Sequence, residues 1–185
     1  MKLIIVRHGE TESNAKHIVQ GKDAGKLTAK GIDQAKKVGK ELKEKYKVDM
    51  VFCSPIGRCV DTLNIILEEY PIEGEIFMSK LIEERDFGEF TGTQSAMIDW
   101  ESLNQDNKIN KELGVESWDE VKKRAELFLE DLKLEDENKT ILIVSHAGPI
   151  KVMINKIKNE YLPYQEIKVE NAQIMEFDFV TELNF

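Results

Sequence analysis

Residues 140–146 read Thr140-Ile141-Leu142-Ile143-Val144-Ser145-His146. Four aliphatic residues in succession, three of them β-branched, are too few for an ordinary helix and predict a strand buried on both faces. A polar Ser-His pair follows at once. The start of the chain repeats this pattern: Leu3-Ile4-Ile5-Val6 runs into Arg7-His8-Gly9. A third run, Val48 to Cys53, ends in Ser54-Pro55. Between these strands the apolar spacing is helical. Ile32, Ala35, Val38 (or Gly39) and Leu42 mark one face after a Thr28 N-cap, and Val60, Leu63, Ile66 and Leu67 mark another that Pro71 stops. Ser117 with Glu120 forms a capping box ahead of Val121, Ala125, Phe128, Leu129 and Leu132. A further helix runs from about Pro149 to Lys158.

Strands alternating with helices predict an α/β fold, a three-layer α/β/α sandwich on a mostly parallel sheet. Ile76-Phe77-Met78 adds a short strand. The stretch Ala172 to Val180 alternates Ile174, Glu176 and Asp178 with Met175, Phe177 and Phe179, as suits an edge strand with one wet face. From Gly88 to about Val115 the periodicity weakens, with Met97, Ile98, Trp100 and Leu103 as anchors. The expectation is one domain over residues 1–185, with a small helical cap at about 89–116.

The chain has 185 residues, 41% apolar and 33% charged, with a formal charge of −9. Such an acidic chain is not built for general attraction to nucleic acid or to anionic membranes. Its apolar runs are a few residues long, far below the roughly 20 needed to span a bilayer. The opening segment is charged by Arg7 and lacks the features of a signal peptide. A cytoplasmic protein is expected, starting at its own N-terminus. Cys53 and Cys59 have no zinc spacing and are expected to be reduced, buried thiols.

Four of the 26 basic residues are arginine: Arg7, Arg58, Arg85 and Arg124. Lysine therefore serves solubility, whereas the guanidinium fork grips phosphate or carboxylate through two hydrogen bonds. Arg124 sits mid-helix and is expected to be solvated, as is His17 in its polar loop. Arg7, Arg58, His8 and His146 all fall just past the ends of predicted strands, where open α/β sheets bind ligands. Phosphoryl transfer suits that set. Two arginines and a second imidazole can hold the equatorial oxygens, while a neutral imidazole attacks phosphorus. A carboxylic acid must then protonate the leaving oxygen, and Glu83, Glu84 and Asp86 are candidates. A metallohydrolase built on His8, Glu10 and His146 is disfavoured by the adjacent Arg7. Gly21 to Thr28 is no phosphate-binding loop: three residues rather than four separate its glycines, and no strand precedes it.

Arg7-His8-Gly9-Glu10-Thr11 with Asn14 resembles the signature of the histidine phosphatase superfamily, the phosphoglycerate mutase-like proteins. Gly21 with Leu27-Thr28, Gly31 and Gln34-Ala35 resembles the family's next block, and Ser54-Pro55-Ile56-Gly57-Arg58 with Thr62 its second-arginine block. Further blocks are Glu84-Arg85-Asp86-Phe87-Gly88-Glu89-Phe90-Thr91-Gly92, Val144-Ser145-His146-Ala147-Gly148 and Asn171-Ala172-Gln173-Ile174. The resemblance covers nearly the whole chain. It implies a phosphohistidine on His8, a phosphate pocket of Arg7, Arg58, Asn14 and His146, and Glu84 as the acid. Gln20, Gly21 and Arg85 would touch substrate. It implies no metal and no other cofactor, and a small-molecule phosphomonoester as partner. The expected activity is a phosphatase. A mutase using the same site is the near alternative, disfavoured because Lys108 and Lys111 are the only basic residues between Gly92 and Trp118. A catalytically silent binding or regulatory protein is the alternative of another class. Two departures, Cys59 after the second arginine and Ala147 after the second histidine, are expected to bear on substrate choice. The natural substrate and the oligomeric state are left open.

Overall fold

A computed structural model describes residues 1–105 and 108–179. The order is β1 (Lys2–Arg7), α1 (Glu12–Ala15), α2 (Ala29–Lys45), β2 (Met50–Cys53), α3 (Gly57–Glu69), β3 (Glu75–Met78), α4 (Trp100–Leu103), α5 (Lys108–Glu112), α6 (Trp118–Leu132), β4 (Thr140–Ser145), α7 (Ala147–Lys158) and β5 (Ile174–Asp178). Three single 3-10 turns, at Lys80–Ile82, Gly88–Phe90 and Ser95–Met97, lie between β3 and α4. The strands form one sheet in the order β3-β2-β4-β1-β5. The pairs within β3-β2-β4-β1 are parallel, and β5 joins β1 antiparallel at the edge.

Side-chain alternation divides the sheet's apolar residues between two helical layers. Leu3, Ile5, Ile141 and Ile143 pack with Val121, Phe128, Leu129, Ile150 and Met153 of α6 and α7. Ile4, Val6, Val51, Leu142 and Val144 pack with Val38, Leu42, Leu63 and Ile66 of α2 and α3. Both faces of β1 and β4 are thus covered, which is why each reads as an unbroken aliphatic run. The helices begin as expected: Thr28 accepts from the Gly31 amide at 3.0 Å, and Ser117 and Glu120 cap each other's backbone.

Two apolar assignments fail. Ile32 is 37% exposed, and Gly31 carries the buried position, lying so close to Glu10 that a β-carbon would sit 2.1 Å from the Glu10 carbonyl oxygen. Met97 is 78% exposed; Val19, Ile98, Leu103 and Val115 form the small core of the 88–115 region, with Phe87, Phe90 and Trp100 against it. The strand expected to reach Val180 is seen over Ile174–Asp178, and Val180 lies outside the described residues.

Candidate active site

Parallel register sets the site. Arg7 stands opposite Ser145 on β1 and β4, and Cys53 opposite Val144 on β2 and β4, so three strands end on one rim. His8 follows β1, its amide bonded to the Ser145 carbonyl at 3.0 Å. Gly9 must be glycine, because a β-carbon there would lie 2.6 Å from the Gly31 carbonyl oxygen. The turn after β2 starts α3, on which Arg58 is the second residue, and His146 is the residue before α7.

The His8 ring is 1% exposed. Arg58 Nε–H lies 3.1 Å from His8 Nε2, and since a guanidinium only donates, Nε2 carries the lone pair. The proton is therefore on Nδ1, which donates to the Gly9 carbonyl at 2.8 Å. Burial, then Arg58 and Arg7, push the His8 pKa well below its ordinary value. The ring is neutral, with one nitrogen lone pair turned toward a guanidinium.

His146 lies beside it, ring centroids 5.3 Å apart and tilted by 59°. It is fully buried, and burial with Arg58, His8 and Arg7 drives its pKa well down. Its Nε2 lies 2.7 Å from Ser54 Oγ and 3.3 Å from Cys59 Sγ. Cys59 therefore stands behind the imidazole rather than in the cavity, and its effect is on His146. Both thiols are free and buried, and burial holds each protonated, Cys53 pushed up to about 12.

Arg58 is 1% exposed and also donates to the carbonyls of Asp23 and Gly21, the latter at 2.9 Å. The loop at residues 21–25 thus turns carbonyls, not amides, toward the site, the opposite of a phosphate-binding loop. Arg7 Nη1 donates to the Val169 carbonyl at 2.7 Å. Its Nε is buried with no partner among the described residues, a cost that a bound oxyanion would remove. Asn14 Oδ1 accepts from Thr11 N, Thr11 Oγ1 and Asn171 Nδ2 at 3.0–3.2 Å, which fixes the amide and leaves Nδ2 as its outward donor.

Arg7, His8, Asn14, Gln20, Gly21, Arg58 and Glu84 line a cavity of about 300 Å³, closed opposite by Phe87, Ser95 and Trp100 with His17 at the rim. Of the three acids considered, only Glu84 faces it. Glu83 pairs with Lys22, and Asp86 accepts from the Gly88 amide. Glu84 Oε1 accepts from the amides of Arg85 at 2.9 Å and Gly148 at 3.0 Å, so the start of α7 anchors it. A β-carbon on Gly148 would approach that oxygen to 2.4 Å.

The structure does not place every expected residue on the cavity. His146 stands behind His8 rather than on the wall. Arg85, expected at substrate, is 2% exposed and donates to the Glu116 and Leu103 carbonyls and to Asn104 Oδ1, with its guanidinium over Trp118. Three of its five donors are taken by Leu103, Asn104 and Glu116; it is absent from the wall of this cavity and lines a smaller one next to Glu84. Arg124, expected to be solvated, is mostly buried: it forms a two-pronged pair with Glu116 and donates to the Leu81 and Glu83 carbonyls. Sequence reasoning missed a supporting ring. Thr62 Oγ1 accepts from the Gly9 amide, Ser54 meets His146, and Asn171 Nδ2 donates to the His8 carbonyl.

A family model for the histidine phosphatase superfamily (branch 1) matches residues 3–183. The chain belongs to that superfamily. A phosphoserine phosphatase from Entamoeba histolytica, solved with 3-phosphoglyceric acid, is 31% identical, covers 95% of this chain and 89% of its own, and superposes with a TM-score of 0.74. Bacillus stearothermophilus YhfR, at 24% identity and a TM-score of 0.79, covers 95% of this chain and 89% of its own and shares the fold. A 2,3-bisphosphoglycerate-dependent phosphoglycerate mutase of Afipia carboxidovorans is 38% identical over 96 residues, which are 49% of this chain and 44% of the mutase. The chain thus spans under half the length of the curated mutase it matches. Among the described residues, no helix is long and apolar enough to cross a membrane.

Proposed function

We propose that this protein is a phosphomonoesterase working through a phosphohistidine on His8, and the observation that carries the reading is the buried, neutral His8 with its Nε2 lone pair set toward Arg58. The ester phosphate occupies the cavity between Arg7, Arg58 and the Asn14 amide. Nε2 attacks phosphorus, the bond to the leaving oxygen breaks, and the Glu84 carboxyl gives that oxygen its proton. A water then attacks the phosphohistidine, Glu84 takes the water's proton, and the N–P bond breaks to release phosphate and restore His8. His146 supplies a second neutral imidazole beside the attacking ring, held by Ser54 and Cys59. Every step uses protein groups and water alone, and two protonated thiols suit a reducing cytoplasm.

The phosphoglycerate mutase resemblance keeps a second reading alive, in which the phosphohistidine returns its phosphate to a phosphoglycerate rather than to water. In the interval where a second phosphate would need cations, Lys108 has its side chain 87% exposed and faces Glu112. The deciding experiment follows inorganic phosphate release and 2-/3-phosphoglycerate interconversion in parallel, with acid quenching to trap labelled protein. Release with an acid-labile label is expected. Interconversion outrunning release would make the enzyme a mutase, and no label with no turnover would make it a binding protein.

A further inference from the structure

A second cavity, of about 220 Å³, lies beyond Glu84 from the nucleophile and shares Glu84, Phe87 and Trp100 with the first as common wall. Lys151 lines it, one turn into α7 from the Ala147-Gly148 start that anchors Glu84. This lysine is half-buried and makes no ion pair among the described residues, whereas Lys156, further along the same helix, faces Glu126 at 3.6 Å. Burial lowers its pKa and Arg7 acts in the same direction, while Glu84 opposes, as for a cation short of counter-charge.

The neighbouring groups add donors. Asn104 Oδ1 accepts from Arg85 at 2.8 Å and from Trp118 Nε1 at 3.0 Å, so its free end is the NH2. Tyr164, tilted by 31° against Trp118 with centroids 4.3 Å apart, has a hydroxyl with no partner among the described residues, and burial with Glu126 and Asp119 raises its pKa. Lys151, Arg85 (three of its donors already engaged), the Asn104 and Gln165 amides and the Tyr164 phenol line the cavity, with Glu84 as the one carboxylate among its lining residues. The mechanism fixes which part of a substrate reaches them. The leaving oxygen must meet Glu84, which both cavities share, so the carbon skeleton attached to it starts at the boundary with the cavity that holds Lys151.

We propose that the cavity beyond Glu84 is a subsite for an acidic group on the leaving side of the substrate, with the Lys151 ammonium as its counter-charge. The preferred substrates are then phosphomonoesters of hydroxy acids rather than of neutral alcohols. This rests on the phosphomonoesterase reading for its direction, from His8 through Glu84 outward.

The test compares kcat/KM on phosphoserine and 3-phosphoglycerate (carboxylate), fructose 1,6-bisphosphate (second phosphate) and glycerol phosphate (neutral leaving group). Wild type is expected to prefer an acidic leaving group. Lys151→Met should lower the acidic-to-neutral ratio about ten- to a hundredfold, mostly through KM, as loss of a charge-assisted contact requires. Lys151→Arg should recover most of the ratio, which a purely structural role would not predict. A larger loss on the bisphosphate than on phosphoserine would assign the subsite to phosphate rather than carboxylate. An unchanged ratio in Lys151→Met, or Arg no better than Met, overturns the proposal. Calorimetric binding of 3-phosphoglycerate and glycerol phosphate to His8→Ala and His8→Ala/Lys151→Met proteins reads the subsite without turnover. Absence of hydrolysis by wild type would thus count against the phosphatase, and an unaltered binding ratio against the subsite.

Discussion

The four arginines fall into two regions with opposite economies of hydrogen bonding. At the sheet rim, Arg7 keeps a buried Nε without a partner among the described residues and Arg58 lends its Nε to His8. Away from the rim, Arg85 is buried and Arg124 mostly so, and their donors end on the carbonyls of Leu81, Glu83, Leu103 and Glu116 and on side chains of Asn104 and Glu116. Scarcity of arginine therefore marks buried forks, but not which of them wait for a ligand. What sets the rim apart is that Arg7 keeps a donor the described chain does not satisfy, and that Arg58, although bonded to the Asp23 and Gly21 carbonyls, spends its Nε–H on an imidazole.

The contrast can be broken most severely at the rim. His8→Ala should lower turnover by about four orders of magnitude or more, since the covalent route disappears, and abolish acid-labile labelling. A label that persists would move the nucleophile elsewhere. The next comparison is direct. Arg7→Met should cost roughly 10²–10³ in kcat/KM, an oxyanion-donor loss, with little change in melting temperature. Arg124→Met should instead destabilise the fold by about 3 kcal/mol, because the mostly buried Glu116 carboxylate loses its ion pair and keeps only the Asp86 amide. Urea unfolding and kinetics on both variants check it, and equal losses of stability would erase the distinction.

A smaller effect tests the seam between the regions. Gly148→Ala should push Glu84 off its amide anchor and slow poor leaving groups about tenfold, sparing nitrophenyl phosphate, which needs little acid assistance. Glu84→Gln should show the same selectivity more strongly, and equal losses on both substrates would reassign the acid. The mildest test is pH. His8 and His146 have folded pKa values well below 6.5, so the unfolded chain binds more protons than the native one below that pH. Stability should be full above about pH 6.5 and decline as pH falls below it, and His146→Asn should flatten the decline in a melting-temperature series.

Much of this was legible beforehand, for physical reasons. Strands covered on both faces must be aliphatic throughout, so β1 and β4 announced themselves, and the residues just past them had to share a rim once the strands were parallel. Glu84 came from resemblance rather than from spacing. What was hidden depends on partners remote in sequence. Nothing near Arg124 in the chain shows that Glu116 and the Leu81 and Glu83 carbonyls surround it. Spacing alone puts Ile32 inward, and nothing local reveals that the Glu10 backbone presses on Gly31. Thr62, Ser54 and Asn171 are small polar residues with no periodic signature, and only the fold shows that they brace the histidines.

The strand order carries a consequence for the chain during synthesis. β4, late in sequence, lies between β2 and β1, so those two early strands have no edge in common until it is threaded in. A nascent polypeptide holds His8, Arg7 and Arg58 long before that insertion, without Ser145 to bond the His8 amide or His146 to lie beside the ring. Such long-range closure is slow relative to local helix formation. His8 therefore gains its Ser145 hydrogen bond and its His146 neighbour only once the late strand β4 has entered the sheet.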